Sequence, residues 1–198
     1  EAPTVTVKRV AGGVGSNYIN DQLKPGMEVE VMEPMGNFHS VIDANNQKHY
    51  VLFGGGSGIT PVLSILKSVM VTEPKSTVTL FYGNRNEDSV IFKAKLEELT
   101  AQYSDRLKVV HIYDAPLNTA HPYSGFVVKD MALKLLRENT NLNFQNAEFF
   151  ICGPTPMMKE VEQALQLLGI PKERTHIEYF TAKLEEDKQA AGVGTTTA

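Results

Sequence analysis

From Val51 to Phe180, short β-branched or aromatic runs alternate with longer runs of helical period. Parallel strands cannot be joined by a tight turn, so this alternation is the pattern of strands linked by crossover helices. Five strands are expected, at about His49 to Phe53, Thr77 to Tyr82, Leu107 to Tyr113, Ala147 to Cys152 and Thr175 to Phe180. Crossover helices fit the stretches near Pro61 to Met70, Val90 to Gln102, Val128 to Glu138 and Pro156 to Leu168. The expected fold class is α/β, with a five-stranded parallel, doubly wound sheet. The stretch Ala115 to Gly125, with Pro116 and Pro122, is longer than an ordinary connection and reads as an excursion over the binding face.

The first 48 residues follow a different rule. "TVTVKRV" and "EVEVMEPMG" alternate apolar and polar residues with period two, and "SNYINDQL" between them suits a short helix. Lys24-Pro25-Gly26 is turn chemistry. Two or three strands cannot close a barrel or cover both faces, so this part is expected to be incomplete. At the other end, "KLEEDKQAAGVGTTTA" passes from charges to Ala, Gly and Thr with nothing apolar to pack, the composition of a linker or tail. The expected domains are 1–46, 47–182 and 183–198.

Composition narrows the function classes. The formal net charge is -4 and no stripe of Lys and Arg is present, which argues against a nucleic-acid partner. No apolar run approaches the roughly 18 to 20 residues that span a bilayer. The opening "EAPTVTVKRV" lacks a signal-peptide pattern, so a cytoplasmic protein with no membrane partner is expected. Cys152 is the single cysteine, which excludes an internal disulfide and a cysteine-ligated zinc or iron–sulfur site within this chain. No pair among His39, His49, His111, His121 and His176 has ligand spacing on one element, so no metal site is expected.

The candidate chemistry sits where strands give way to helices. In "YVLFGGGSGITPVLSILKSV", glycines separate the first strand from a helix for which Thr60 suits the N-cap and Pro61 the first helical position. Helix-start amides and a backbone without Cβ atoms suit a pyrophosphate, although glycines also serve tight strand–helix packing. The common G-x-G-x-x-G frame fails, ending on Ile59 from Gly54 and on Pro61 from Gly56. The second strand ends in "FYGNRNED", with Asn84 and Arg85 where a ribose-binding acid would stand. A guanidinium there favours NADPH over NADH, against the nearby Glu87 and Asp88. In "FFICGPTPMMKEVEQAL", Cys152 falls at the carboxyl end of a strand, on the edge where open α/β sheets bind ligands. With no activating base in view, it reads as a positioning group or a small buried hydrophobe, not a nucleophile.

"GGGSGITPVLSIL", "FYGNRNEDSVIF", "ICGPTPMMKEVEQAL" and "HIEYF" occur in the order and spacing of the ferredoxin-NADP reductase-like flavoproteins, which this chain resembles over most of its length. The N-terminal "VKRVAGGVGSNYINDQLKPGMEVEVMEPMGNF" resembles the later half of that family's antiparallel β flavin-binding barrel. Within the family, the chain is most similar to reductase components of multicomponent oxygenases, such as that of phenylacetyl-CoA oxygenase. The resemblance implies that Gly56, Ser57, Gly58, Ile59, Thr60 and Pro61 lie against nicotinamide and pyrophosphate, and that Asn84 and Arg85 meet the adenosine end. It places Cys152, Gly153, Pro154 and Met157 in the turn that holds nicotinamide against flavin. It assigns Gly15, Ser16 and Asn17 to the FAD pyrophosphate, and Glu178 and Phe180 to the last strand near the flavin. Thr60, Cys152 and Glu178 are the expected positioning and polarising groups at the reacting centre.

The arginine-x-tyrosine-serine motif that holds flavin in the family lies before Val5 there and has no match in this chain. Relatives also carry a [2Fe-2S] ferredoxin domain after a linker like the one from Lys183. The expectation is a piece of a longer protein that passes reducing equivalents from NADPH or NADH through FAD to an iron–sulfur centre and an oxygenase. The alternative is a nucleotide-binding or interaction module without redox activity. A hydrolase using Ser57 or Ser16 is disfavoured, because "GSGIT" does not fit G-x-S-x-G.

Overall fold

The computed structural model describes residues 4–141 and 144–180, and the expected tail from residue 183 lies outside them. The chain divides into two compact units, one ending at His39 and one beginning at Ser40.

In the first unit, the helix expected in "SNYINDQL" is α1, Val14–Gln22. Arg9 clamps it by donating to both carboxylate oxygens of Asp21, at 2.6 and 3.0 Å, and to the Asn17 side-chain Oδ1 at 2.9 Å. The turn at Lys24-Pro25-Gly26 is closed by the Met27 amide donating to the Lys24 carbonyl at 3.1 Å. The strands expected in "TVTVKRV" and "EVEVMEPMG" are a correction: the described residues before His49 contain no strand. Period-two patterning supplies a face but not the neighbour whose N–H and C=O groups make a ladder. Val5, Val29, Val31, Met32 and Met35 are accordingly exposed.

The second unit is built on five strands: β1 His49–Gly55, β2 Thr77–Asn84, β3 Leu107–Tyr113, β4 Ala147–Cys152 and β5 Thr175–Glu178. All pair in parallel, in the order β3-β2-β1-β4-β5. The helices are α2 Ile59–Thr72, α3 Lys93–Gln102, α4 Lys129–Asn139 and α5 Thr155–Leu167. Strands alternate sides: Val51, Phe53, Phe81, Val110, Phe149 and Ile151 pack with Leu135 and Leu136 of α4 and Val161 and Leu165 of α5. The opposite face, including Tyr50, Leu52, Leu80, Tyr82 and Phe150, is also buried, with α2 lying across β1, β2 and β4. Burial on both faces explains why these strands read as continuous apolar runs.

The strand boundaries differ from expectation where glycine is involved. β1 runs on through Gly54 and Gly55, which pair with Tyr82 and Gly83 of β2. The second helix starts at Lys93, not near Val90, because Asn86 caps a 3₁₀ turn over Glu87–Ser89 and Phe92 adopts a left-handed φ of 60°. The last strand stops at Glu178, leaving Phe180 57% exposed.

The C-terminus of α2 is held by two groups. Arg106 donates to the carbonyls of Met70, Glu73 and Ser76 at 2.8–3.0 Å, satisfying groups that a helix end leaves open. Glu73, fully buried, accepts through one oxygen from the Asp43 amide, the Asn46 side chain and the Tyr50 hydroxyl, and through the other from Ser76.

Candidate functional site

Strand order reverses between β1 and β4: successive crossovers run from β1 outward to β2 and β3, then return to β4 on the other side. Open parallel sheets bind ligands outside the carboxyl ends of the strands at such a reversal. Gly54 of β1 and Cys152 of β4 are register partners there, and Cys152 pairs in turn with Glu178 of β5.

The loop after β1 is a 3₁₀ turn, Gly56–Gly58, leading into α2. This corrects the expected cap: Gly58 is the N-cap, Ile59 begins the helix, and Thr60 and Pro61 lie inside its first turn. Thr60 still closes the loop, its hydroxyl donating to the Ser57 carbonyl at 3.1 Å. Pro61 is tolerated because first-turn amides have no partner within the helix.

The glycines answer to two different demands. A Cβ on Gly58 would overlap the Cys152 carbonyl and lie 2.7 Å from the Gly153 amide, so the loop seats directly on the turn after β4. A Cβ on Gly55 would lie 2.6 Å from the Pro154 ring and 2.8 Å from the Met157 sulfur, and one on Gly153 would lie 3.0 Å from Gly55. These positions are small because two loops meet, not because a ligand enters. Gly56 is different: its φ is +51° and no described residue beyond its chain neighbours lies within 4 Å of a Cβ there. It turns the chain with its outer side open.

The structure therefore brings together Gly56 to Pro61, Cys152 to Met157 and Glu178 at one edge, with Asn84 and Arg85 at the end of β2 beside β1. Arg85 is exposed, its carbonyl accepting from the Ala115 amide at 2.8 Å. The Asn84 side-chain nitrogen is buried and has no hydrogen-bond partner among the described residues. The long loop after β3 is fastened nearby, where the Glu87 carboxylate accepts from the Leu117 and Asn118 amides at 2.8 and 3.3 Å. Phe180 lies two residues past β5. Gly15, Ser16 and Asn17 belong to the other unit. There, the Ser16 hydroxyl accepts from the Val10 backbone amide at 3.1 Å, the Asn17 side-chain amide donates to the Gly13 carbonyl at 2.6 Å, and no described residue beyond its chain neighbours and its own helix backbone comes within 4 Å of a Cβ at Gly15.

Cys152 is fully buried, and that burial, with the Glu178 charge adding to it, pushes the thiol up to about 12. A thiol so placed is protonated at neutral pH and is not a nucleophile. Alkylation by iodoacetamide at pH 8 is expected to be about a hundredfold or more slower in the folded chain than in denaturant. Equal rates, read by mass spectrometry, would contradict this burial. Among the described residues no group of three His, Cys, Asp or Glu side chains could hold a metal ion. No helix among them is long and apolar enough to cross a membrane.

Tyr82 was not singled out in the sequence. It is fully buried, and its hydroxyl donates to the Gly56 carbonyl at 3.0 Å. The available signal was a phenol directly after the apolar Leu80-Phe81, two residues before Asn84.

The profile of the oxidoreductase NAD-binding domain family matches residues 52–163, which contain the glycine loop, the β2 end and the turn after β4. The chain belongs to this family. It is 39% identical over 183 residues to the ferredoxin reductase component of 3-ketosteroid-9-alpha-monooxygenase from Rhodococcus rhodochrous, covering 92% of this chain and 47% of that one. It is 35% identical over 190 residues to a component of 1,2-phenylacetyl-CoA epoxidase from Escherichia coli K12, covering 96% of this chain and 53% of that one. The chain thus spans about half the length of the curated relatives it matches. Among solved structures, the CS-b5R domains of human Ncb5or, in the NAD+ form, superpose with a TM-score of 0.73 at 28% identity, over 86% of this chain and 47% of that one.

Proposed function

We propose that this chain is the nicotinamide-nucleotide-binding part, with a portion of the flavin-binding part, of an NAD(P)H-dependent FAD reductase that supplies electrons to an oxygenase. The observation that carries the reading is the convergence of Gly56–Pro61, Cys152–Met157 and Glu178 at the strand-order reversal, within or beside the residues matched by the NAD-binding family. The names of the two curated relatives, a ferredoxin reductase component and an epoxidase component, support an oxygenase as the destination.

The residues present fit a dinucleotide. The open side of Gly56 leaves room for a pyrophosphate against the 3₁₀ turn and helix start. The unpartnered Asn84 nitrogen offers a buried donor for the adenosine end, and the exposed Arg85 suits a 2′-phosphate, so NADPH is preferred to NADH. Thr60, Cys152 and Glu178 would orient the nicotinamide, Cys152 as a protonated thiol and Glu178 as a half-buried carboxylate. In the other unit, the open Gly15 with Ser16 and Asn17 would hold part of the FAD pyrophosphate. In the nucleotide unit, Phe180, exposed past β5, would be an aromatic contact for a flavin. FAD, when bound, supplies the exchange between two-electron hydride and one-electron chemistry. An iron–sulfur acceptor has to be held by another part of the parent protein or a partner, since this chain has one cysteine.

Calorimetric titration with NADP+ and NAD+ tests the nucleotide half. Micromolar binding of at least one is expected, with NADP+ the tighter, and a folded chain that binds neither would refute the proposal. Bleaching of added FAD by NADPH tests the redox half. Nucleotide binding without bleaching would assign the redox step to the longer protein alone.

A further inference from the structure

Gly56 presents a mechanical difficulty. Its left-handed φ is accessible to glycine, but glycine visits many other conformations as readily, and among the described residues no side chain packs over it to hold this one. Something else has to keep the turn in shape. Two donors converge on its carbonyl: the Ile59 amide from the following helix, and the Tyr82 hydroxyl from the neighbouring strand. The second is the stiffer anchor. The Tyr82 ring is fully buried on β2, within van der Waals reach of Gly54, and so has little freedom to move.

We infer that Tyr82 is a positioning residue for the nucleotide loop, its hydroxyl locking Gly56 so that the amides of the 3₁₀ turn are already aimed before a ligand arrives. Burial pushes the Tyr82 phenol up to about 12, against the opposing pull of the Ile91 backbone and the Asn84 side chain, so it remains a donor at every ordinary pH. The same hydroxyl has the Asn84 side chain as a neighbour. One buried phenol thereby ties the β1 loop to the end of β2, the two segments assigned to opposite ends of the dinucleotide. The ligand in this inference rests on the reading proposed above; the locking of the loop does not.

Tyr82→Phe deletes one oxygen and leaves the ring packing intact. The affinity of whichever dinucleotide the parent chain binds is expected to fall about fivefold to tenfold, the usual effect of one lost hydrogen bond. Amide hydrogen exchange in the ligand-free chain is expected to speed up at Gly56 to Ile59 and to stay unchanged along β3. Parental affinity and parental exchange at the loop would overturn the inference. So would exchange raised equally through the whole sheet, because that marks general loosening. If the parent chain binds neither NADP+ nor NAD+, the nucleotide reading fails, while the exchange measurement still decides whether Tyr82 locks the loop.

Discussion

Replacing Gly58 by alanine is expected to lower stability by about 3 kcal/mol and nucleotide affinity by about tenfold or more. The added methyl would overlap the Cys152 carbonyl and lie 2.7 Å from the Gly153 amide. These are backbone atoms at the end of β4, held by pairing with β1 and β5, so no rotamer change can relieve the overlap. The loop and the turn after β4 must separate, and in doing so they move the Gly56 and Cys152 segments apart. For a chain of this size the thermal midpoint should fall by about 6 to 12 °C. A Gly58→Ala chain that melts and binds like the parent would show that the two loops part freely.

The second large effect is expected at Glu73, on the opposite edge of the sheet from the nucleotide loop. Glu73→Ala removes the acceptor for the Asp43 amide, the Asn46 side chain, the Tyr50 hydroxyl and the Ser76 hydroxyl at once. Hydrogen bonds to a charged acceptor contribute more than neutral ones, and buried donors left without a partner add their own desolvation penalty. The expected loss is about 4 kcal/mol, a large share of the roughly 5 to 15 kcal/mol that holds a domain together. Glu73→Gln separates charge from geometry. One amide oxygen can still serve the first three donors, and Ser76 can turn its hydroxyl to the Asn46 carbonyl, 3.3 Å away. Urea denaturation should place the glutamine variant within about 2 kcal/mol of the parent. An alanine variant as stable as the glutamine one would mean that the network contributes little.

The sheet was legible because its central strands are buried on both faces and so announce themselves as apolar runs, and because the runs between them keep helical period. Cys152 was placed at the carboxyl edge by the same logic, whereas Glu178 came from the family resemblance alone, since the last strand was expected to run on to Phe180. The N-terminal alternation misled because pattern fixes which side a residue faces, while a strand also needs a partner. The cap assigned to Thr60 failed because a 3₁₀ turn stands between strand and helix, and its presence depends on how closely Gly58 approaches Cys152, nearly a hundred positions away. Tyr82 and Glu73 went unnoticed for a related reason. A strand phenol and an acid before Pro74 look ordinary until Gly56 in one case, and Asp43 and Asn46 in the other, are brought to them.

The Glu73 cluster also bears on how the nucleotide unit can be cut free. The expected domain boundary after residue 46 leaves residues 40–46 outside the nucleotide unit. Yet the Ser40 hydroxyl lies 3.1 Å from the Tyr50 hydroxyl, and Asp43 and Asn46 supply two of the donors that satisfy the buried acid. Trimming to residue 47 would leave that acid facing the gap it was folded to fill, whereas trimming to residue 40 keeps the whole set, so the short stretch behaves as a keel of the unit it precedes.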